Sequence, residues 1–354
     1  MSMGEWKTYQ LKELLVIKNG KDHKALPDGK YPVYGSGGLM RHVDNFLYDG
    51  KSILLPRKGS LANIQFANGK FWTVDTLFYS IVKEELAEPY FLFRYLRGLD
   101  LSGLDTGASI PSMTTSTYYR IKVSLPSLPE QRRIASVLSS YDDLIETNNR
   151  RIALLEESAR ELYKEWFVRF RFPGYQHSKF VKGMPVGWEE ERITDLLDVK
   201  YGKDHKLLSD GNIPVYGSGG IMRRVSKKLY SGESVLIPRK GSLNNIMLVR
   251  GDFWTIDTMF YSSAKKEHIN KLVYYFLSSL DMESFNTGAA LPSMTTSILS
   301  GIKMLVPTNP ILRTFDENLD ATFAEIDCLN EQNAALAAAR DRLLPRLISG
   351  KIRV

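Results

Sequence analysis

The 354-residue chain is short of the groups that most catalytic chemistry needs. It has one cysteine, Cys328, and five histidines. A single thiol excludes an internal disulfide framework and fits a reducing compartment. Cys328 falls inside a helical pattern, where a packed, inert thiol is expected. No H-E-x-x-H, C-x-x-C or facial-triad spacing occurs, so a metal site is not expected. A G-x-x-x-x-G-K-[ST] loop is missing, which excludes a P-loop nucleotide site. Gly35-Ser36-Gly37-Gly38 lacks the spacing and following acid of a dinucleotide loop. Asn309-Pro310 is followed by Ile311-Leu312, not by the aromatic of an amino-methyltransferase motif. Asp75 and Asp257 sit in strand-like segments, where a buried, hydrogen-bonded carboxylate is expected. There is no apolar run of the roughly 18 residues that a membrane helix requires. Met1 to Trp6 has neither a basic n-region nor an apolar h-region, so a cytoplasmic protein is expected.

Against these absences stands a small basic surplus, a formal net charge of +7. It favours an acidic partner, and nucleic acid is the commonest.

The strongest positive feature is a repeat at an offset of 182 residues, which takes Trp6 to Trp188. Gly20-Lys21-Asp22-His23-Lys24 returns as Gly202-Lys203-Asp204-His205-Lys206. Tyr34-Gly35-Ser36-Gly37-Gly38 returns as Tyr216-Gly217-Ser218-Gly219-Gly220. Pro56-Arg57-Lys58-Gly59-Ser60 returns as Pro238-Arg239-Lys240-Gly241-Ser242, and Phe71 to Thr76 returns as Phe253 to Thr258. The offset then falls to 181, where Pro111-Ser112-Met113-Thr114 becomes Pro292-Ser293-Met294-Thr295. The period exceeds the roughly 20–50 residues of a solenoid unit, so a whole domain is duplicated.

Within each copy, Ser52-Ile53-Leu54-Leu55 and Ser234-Val235-Leu236-Ile237 read as strands ending in turns. Phe71 to Ser80 reads as one strand and Leu86 to Leu99 as a helix. After Pro129 the period changes. Ile134, Leu138, Tyr141, Ile145, Asn148, Ile152, Leu155, Ala159, Leu162 and Trp166 alternate four and three apart, a heptad seam. Glu130 to Phe167 then makes a helix about 55 Å long. The second copy keeps the phase through Phe315, Leu319, Thr322, Ile326, Leu329, Asn333, Leu336, Arg340, Leu343 and Leu347. Two matched seams in one chain predict that the helices pack on each other, with Asn148 and Asn333 fixing the register; packing of each helix on its own domain is the alternative. Phe172-Pro173-Gly174 to Pro185 reads as a linker.

Duplicated glycine loops carrying cations, hydroxyls and amides point to binding. Arg57, Lys58, Ser60 and Asn63, with Arg239, Lys240, Ser242 and Asn245, suit phosphates and base edges. Tyr34, Ser36 and Gly37, with Tyr216, Ser218 and Gly219, mark places where a backbone approaches a ligand closely. Lys21, His23 and Lys24, with Lys203, His205 and Lys206, complete the candidate DNA-binding set. A solvated turn with a basic pair is the alternative for each loop taken singly. Its occurrence on two domains suits two half-sites along a duplex.

These residues resemble the specificity subunit of Type I restriction-modification systems. The resemblance runs over the whole chain. It is carried by Trp6 and Trp188, by Tyr31-Pro32-Val33-Tyr34-Gly35-Ser36-Gly37-Gly38 and its copy from Ile213, and by Phe71-Trp72-Thr73-Val74-Asp75. Leu128-Pro129-Glu130-Gln131-Arg132-Arg133-Ile134-Ala135 opens the first long helix, and Arg342 to Ile352 resembles the family's ending. Asn309-Pro310-Ile311-Leu312-Arg313 departs from the pattern by lacking the Glu-Gln pair. The resemblance implies an α+β chain: two tandem α/β target recognition domains joined by two long antiparallel coiled-coil helices with a pseudo-two-fold. The expected boundaries are a first recognition domain at 1–128, a spacer helix at 129–169, a linker at 170–187, a second recognition domain at 188–309 and a second spacer helix at 310–350.

It further implies a non-catalytic chain that reads a bipartite site in double-stranded DNA, with the helices setting the gap. Two methyltransferase (modification) subunits and restriction/translocase subunits are the implied partners. S-adenosylmethionine, ATP and Mg belong to those subunits, with no cofactor in this chain. The shared blocks predict similar, inverted half-sites. Arg41 to Tyr48 differs from Arg223 to Tyr230, and Gln65 to Lys70 from Met247 to Asp252, so identity of the half-sites is not required. The rivals are a fused restriction-enzyme fragment, which would need nuclease or methylase motifs, and a coiled-coil adaptor that binds only protein.

Overall fold

The computed structural model describes residues 6–101, 111–285 and 293–352. Residues 1–5 of the expected first domain, and Pro292 of the second Pro-Ser-Met block, lie outside the described residues. The chain forms two compact units: Met1–Asn149 with Asn330–Val354, and Arg150–Leu329. Each holds one copy of the repeat, the start of that copy's long helix and the end of the other. Among the described residues no helix is long and apolar enough to cross a membrane.

In the first unit, β1 (Lys7–Gln10) pairs antiparallel with β10 (Lys122–Leu125). One four-stranded sheet has the order β2 (Leu15–Asn19), β9 (Leu77–Val82), β6 (Ser52–Pro56), β7 (Gln65–Ala67). The other runs β4 (Gly38–Val43), β3 (Asp28–Gly35), β8 (Lys70–Thr73), β5 (Tyr48–Asp49), with β3 and β8 parallel. The apolar run of β6 is explained by burial on both faces. Ile53 and Leu55 join the main core, while Leu54 packs with Phe71 and Leu77 on the other side. β6 is pinned to β9 by two buried hydroxyls: Ser52 Oγ bonds the Ser80 backbone and Ser80 Oγ the Ile53 backbone, at 2.7–3.1 Å. The segment expected as one strand from Phe71 to Ser80 is two, β8 and β9, broken by a turn at Asp75-Thr76. Asp75 and Asp257 are accordingly exposed on turns and not buried in strands. The helix expected over Leu86–Leu99 is shorter, Pro89–Arg97, and is capped by Glu88 accepting from Phe91 N at 2.6 Å.

The first long helix spans Leu128–Tyr163 and passes into a π-helical turn, Lys164–Val168. The second spans Asn309–Ile348. Both expectations about their seams hold at once. In the first unit Ile134 and Leu138 pack beneath the helix Pro89–Arg97, and Leu343, Leu344 and Leu347 of the second helix close the same core. Asn148 Nδ2 donates to Asn333 Oδ1 at 3.0 Å, and Asn333 Nδ2 to Asn149 Oδ1 at 2.9 Å. Partners fall along one helix as they rise along the other, so the helices run antiparallel here: Asp142 meets Arg340, and Asn148 meets Asn333. Gln131, 1% exposed, clasps the helix start to the domain. Its Oε1 accepts from Glu88 N at 2.9 Å and its Nε2 donates to Pro126 O at 2.9 Å.

The second unit repeats the two sheets, with Asp210–Gly217 and Asp252–Thr255 again parallel. Its core takes Ala159, Tyr163 and Trp166 from the first long helix, and Leu312, Phe315 and Leu319 from the second. Arg151 Nη2 meets Glu325 Oε1 at 2.5 Å, and the Trp166 and Phe315 rings lie 5.7 Å apart, so the antiparallel sense holds here too. Leu312, 1% exposed, stands where the first copy has Gln131, so an apolar contact replaces the polar clasp. Phe172, at the expected linker start, is packed against Trp188 with ring centres 5.2 Å apart. Cys328 is exposed, contrary to the packed thiol expected. It lies between seam residues Ile326 and Leu329 and so points off the seam.

The two units dock their helices through different charges. In the first, the Arg94 side chain is 3% exposed and is bound by Asp142, which also accepts from Tyr90 OH and Arg340. Burial works to raise the Asp142 carboxyl, but these donors prevail and hold it below the ordinary aspartate value. In the second, buried Lys271 donates to Asp316 and Asp320 at 2.5 and 2.7 Å. Burial works to lower its ammonium, but the two carboxylates raise it above the ordinary lysine value. Asp142→Asn strands the buried Arg94 charge. A loss on the order of 3 kcal/mol is expected, at the low end for buried pairs because Asp142 is partly exposed. Because the folded-state pKa is depressed, this stabilisation is complete above about pH 4 and fades as the pH falls below it. Denaturant unfolding of both proteins at pH 7 and pH 3 checks this; equal stability at pH 7 contradicts it.

Candidate nucleic-acid interface

Three loops of the first unit converge. Lys21–Lys24 follows β2, Gly35–Gly38 turns β3 into β4, and Arg57–Asn63 follows β6. Gly20 brings the first loop in. A Cβ there would lie 2.0 Å from Val74 O, so only glycine allows this approach. Lys21 N then donates to Thr73 O at 2.8 Å, and Trp72 Nε1 to Lys21 O at 2.9 Å. Asp22 folds the loop on itself by accepting from Lys24 N at 3.0 Å. That backbone bond is the main cause holding its carboxyl below the ordinary value.

Asn63 joins the third loop to the second, its Nδ2 donating to Ser36 O at 2.8 Å. Gln65 Nε2 donates to Gly35 O at 2.9 Å. Gly59, at φ +87°, packs against the Ser36 side chain. The second copy repeats the frame except at Gln65, whose place Met247 takes. A Cβ on Gly202 would lie 2.0 Å from Ile256 O. Trp254 Nε1 donates to Lys203 O at 2.9 Å, Lys206 N to Asp204 Oδ1 at 3.0 Å, and Asn245 Nδ2 to Ser218 O at 2.8 Å. In the first unit the Asp22–Lys24 loop, the glycine hairpin, Leu39-Met40 and Val74–Thr76 together line a cleft of about 650 Å³.

The candidate residues separate by placement. Lys21, Lys24 and Lys58, and Lys203, Lys206 and Lys240, are exposed, and their ammonium groups make no hydrogen bond or ion pair among the described residues. Gly37 and Gly219 are exposed, with open space where a Cβ would stand. Ser60 and Ser242 are exposed; Ser36 and Ser218 are half-buried under the loop contacts. His23 and His205 are half-buried, and the buried Nδ1 of each meets no hydrogen-bond partner among the described residues. Asn63 and Asn245 brace the hairpins with the amide expected at a base edge.

Tyr34 is not in the cleft. It packs edge-on to Phe71 and faces a recess of about 900 Å³ lined also by Tyr90 and Asp142. Tyr216 packs likewise on Phe253. Burial raises both hydroxyls above the ordinary tyrosine value. The two arginines differ. Arg57 is exposed, with Nη1 3.5 Å from Asp75 O. Arg239 is half-buried, donates to Asp257 O at 2.6 Å, and stacks 4.8 Å from the Tyr201 ring centre. Asn19 stands at Tyr201's place in the first copy, so the stack is missing there.

Leu39-Met40 and Ile221-Met222 follow the Gly-Gly pair in each copy and lie just outside the identical blocks. The signal for them in the sequence is an apolar pair at the rim of a basic loop cluster, in both copies. Among the described residues no cluster of three or more His, Cys, Asp or Glu side chains could hold a metal ion.

A family model described as the Type I restriction modification DNA specificity domain matches residues 3–157 and 185–336. The chain belongs to this family. It is a DNA specificity component, not a catalytic one, and works with DNA in assembly with restriction-modification subunits. It is 27% identical over 343 residues to the Type I restriction enzyme MjaIX specificity subunit of Methanocaldococcus jannaschii, covering 86% of this chain and 78% of that one. It is 23% identical to the MjaVIII specificity subunit of the same organism, covering 99% and 93%. Its fold is similar to the crystal structure of the Type I restriction-modification S subunit from M. genitalium, at a TM-score of 0.61 and 20% identity, covering 97% and 96%. The two matched regions are the two copies of the repeat, and neither the enzyme-fragment nor the protein-only adaptor reading is favoured.

The loop frame makes a direct prediction. Gly20→Ala forces its Cβ onto Val74 O and is expected to lose at least about 2 kcal/mol of stability. Gly37→Ala meets open space and is expected to stay within about 0.5 kcal/mol of the parent. Thermal unfolding of the two variants checks this; the reverse order contradicts it.

Proposed function

We propose that each loop cluster of this specificity component reads one half of a bipartite site in double-stranded DNA. One observation carries the reading. The same three loops, joined by the same glycine, asparagine and tryptophan contacts, occur in both copies and expose lysines that are unpaired among the described residues beside open glycines. The lysines meet phosphates and set the register. Gly37 and Gly219 let the duplex backbone approach the hairpin without a side chain between. Arg57, with an exposed guanidinium, suits a guanine edge; Arg239 is more committed to its own domain. Because the frames match, the half-sites are similar and inverted. They need not be identical, because Arg57 and Arg239 are held differently.

The antiparallel helices set the spacing of the half-sites and offer docking surface to two methyltransferase (modification) subunits. Restriction/translocase subunits join that assembly in the cytoplasm. S-adenosylmethionine, ATP and Mg are held by those partners, and this chain supplies no cofactor ligand.

Two experiments on the complex with its modification subunits test the reading. Lys21→Ala, Lys24→Ala and Lys58→Ala together are expected to weaken DNA binding at low salt. They should also flatten the dependence of log affinity on log salt by roughly 0.9 for each phosphate left without its lysine. An unchanged slope contradicts phosphate binding by these lysines. Arg57→Ala with Arg239→Ala is expected to reduce site-selective methylation, and full retained DNA binding removes the arginines from the interface.

A further inference from the structure

The edge strand β4 carries an irregularity that the fold does not need. In its pairing with β3, Val33 faces Arg41 and Tyr34 faces Leu39, so Met40 is an extra, bulged residue. The second copy has the same bulge at Met222, between the pairs Val215–Arg223 and Tyr216–Ile221. A bulge re-aims side chains, and consecutive residues are here both turned outward. Leu39 and Met40 are 57% and 56% exposed, and Ile221 and Met222 are 54% and 57% exposed. Gly35 and Gly217 serve the same arrangement. A Cβ on either would lie 2.6 Å from the Met40 or Met222 Sδ, so each thioether rests on a bare glycine.

An exposed apolar pair costs stability and invites edge-to-edge association, yet it is kept at the same bulge in both copies. In the first unit it lines the same cleft as His23, Lys24 and Gly37. The base edges of a duplex offer one apolar group in the major groove, the thymine C5-methyl. Among the base edges of the major groove, that methyl is the complement of an apolar pair framed by phosphate-seeking lysines. We infer that Leu39-Met40 and Ile221-Met222 are specificity-determining residues that contact thymine methyl groups, one set in each half-site. The flexible thioether of methionine lets the contact follow the groove. The inference rests on the DNA reading proposed above.

The test uses the chain assembled with its modification subunits. The probe is a duplex carrying the target mapped from the host's methylated bases, with thymine or with deoxyuridine throughout the site. Uracil keeps every hydrogen-bonding group and removes only the methyl. The parent complex is expected to bind the thymine duplex more tightly, by roughly fourfold for each methyl contacted. A complex carrying Leu39→Ser, Met40→Ser, Ile221→Ser and Met222→Ser is expected to bind the thymine duplex more weakly and to lose that preference. Equal parent binding to both duplexes overturns the inference, as does an undiminished thymine preference in the variant. Failure of the variant to assemble overturns it in favour of a protein-docking edge. Deoxyuridine indifference with intact preference for target over scrambled DNA leaves the DNA reading standing; loss of that last preference in the parent sinks the reading itself.

Discussion

Each recognition core is closed by side chains from both long helices. In the first unit Ile134 and Leu138 arrive from the start of one helix, and Leu343 and Leu347 from the end of the other. In the second, Leu312 and Phe315 arrive from a start, and Tyr163 and Trp166 from an end. Neither core is complete without a segment distant in sequence, so the antiparallel sense of the helices is a condition of folding. The polar seam pair Asn148–Asn333 selects the register, because a slip would leave the buried Asn148 amide without its partner. Gln131 and the Arg94–Asp142 and Lys271–Asp316 pairs then set how each sheet pair lies on its helix.

The duplication and the heptads are legible because they are one-dimensional signals: identical blocks at one offset, and apolar residues at four-three spacing. The phase alone puts Asn148 and Asn333 on the seams, and the antiparallel register pairs them. What stays hidden depends on three-dimensional neighbours. Phe71 to Ser80 has strand composition throughout, and only the turn at Asp75-Thr76 shows where the chain leaves one sheet for the other. Composition gives no sign that Asn63 points inward to the Ser36 carbonyl, or that Tyr34 faces away from the glycine turn beside it. The bulges at Met40 and Met222 shift the register by one residue, and no alternation rule anticipates that. Helical context alone suggests burial for Cys328, yet its phase against the seam already places it outside.

The two copies keep and change different things. The glycine, asparagine and tryptophan contacts of the loop frame are kept, as is the Nδ1 of His23 and His205 that meets no partner among the described residues. The contacts between helix and domain have diverged, with Gln131 replaced by Leu312, and the arginine network of the first unit by a lysine held between two aspartates. A shared ligand class explains the first pattern. Packing, which many combinations of side chains satisfy, explains the second. The proposed similarity of the half-sites rests on the first pattern, and the second leaves it untouched.

The central claim is that each loop cluster reads its own half of the site. A double-mutant cycle between protein and DNA tests it most directly. Affinity of the assembled complex would be measured for the parent, for a chain altered at Lys24, Gly37 and Arg57, and for one altered at Lys206, Gly219 and Arg239. Each would face the intact target and targets with one half or the other scrambled. The expected result is that the first variant becomes indifferent to scrambling of one half while keeping full sensitivity to the other, and that the second shows the opposite. Equal loss of sensitivity to both halves in each variant, or no loss in either, would contradict the account.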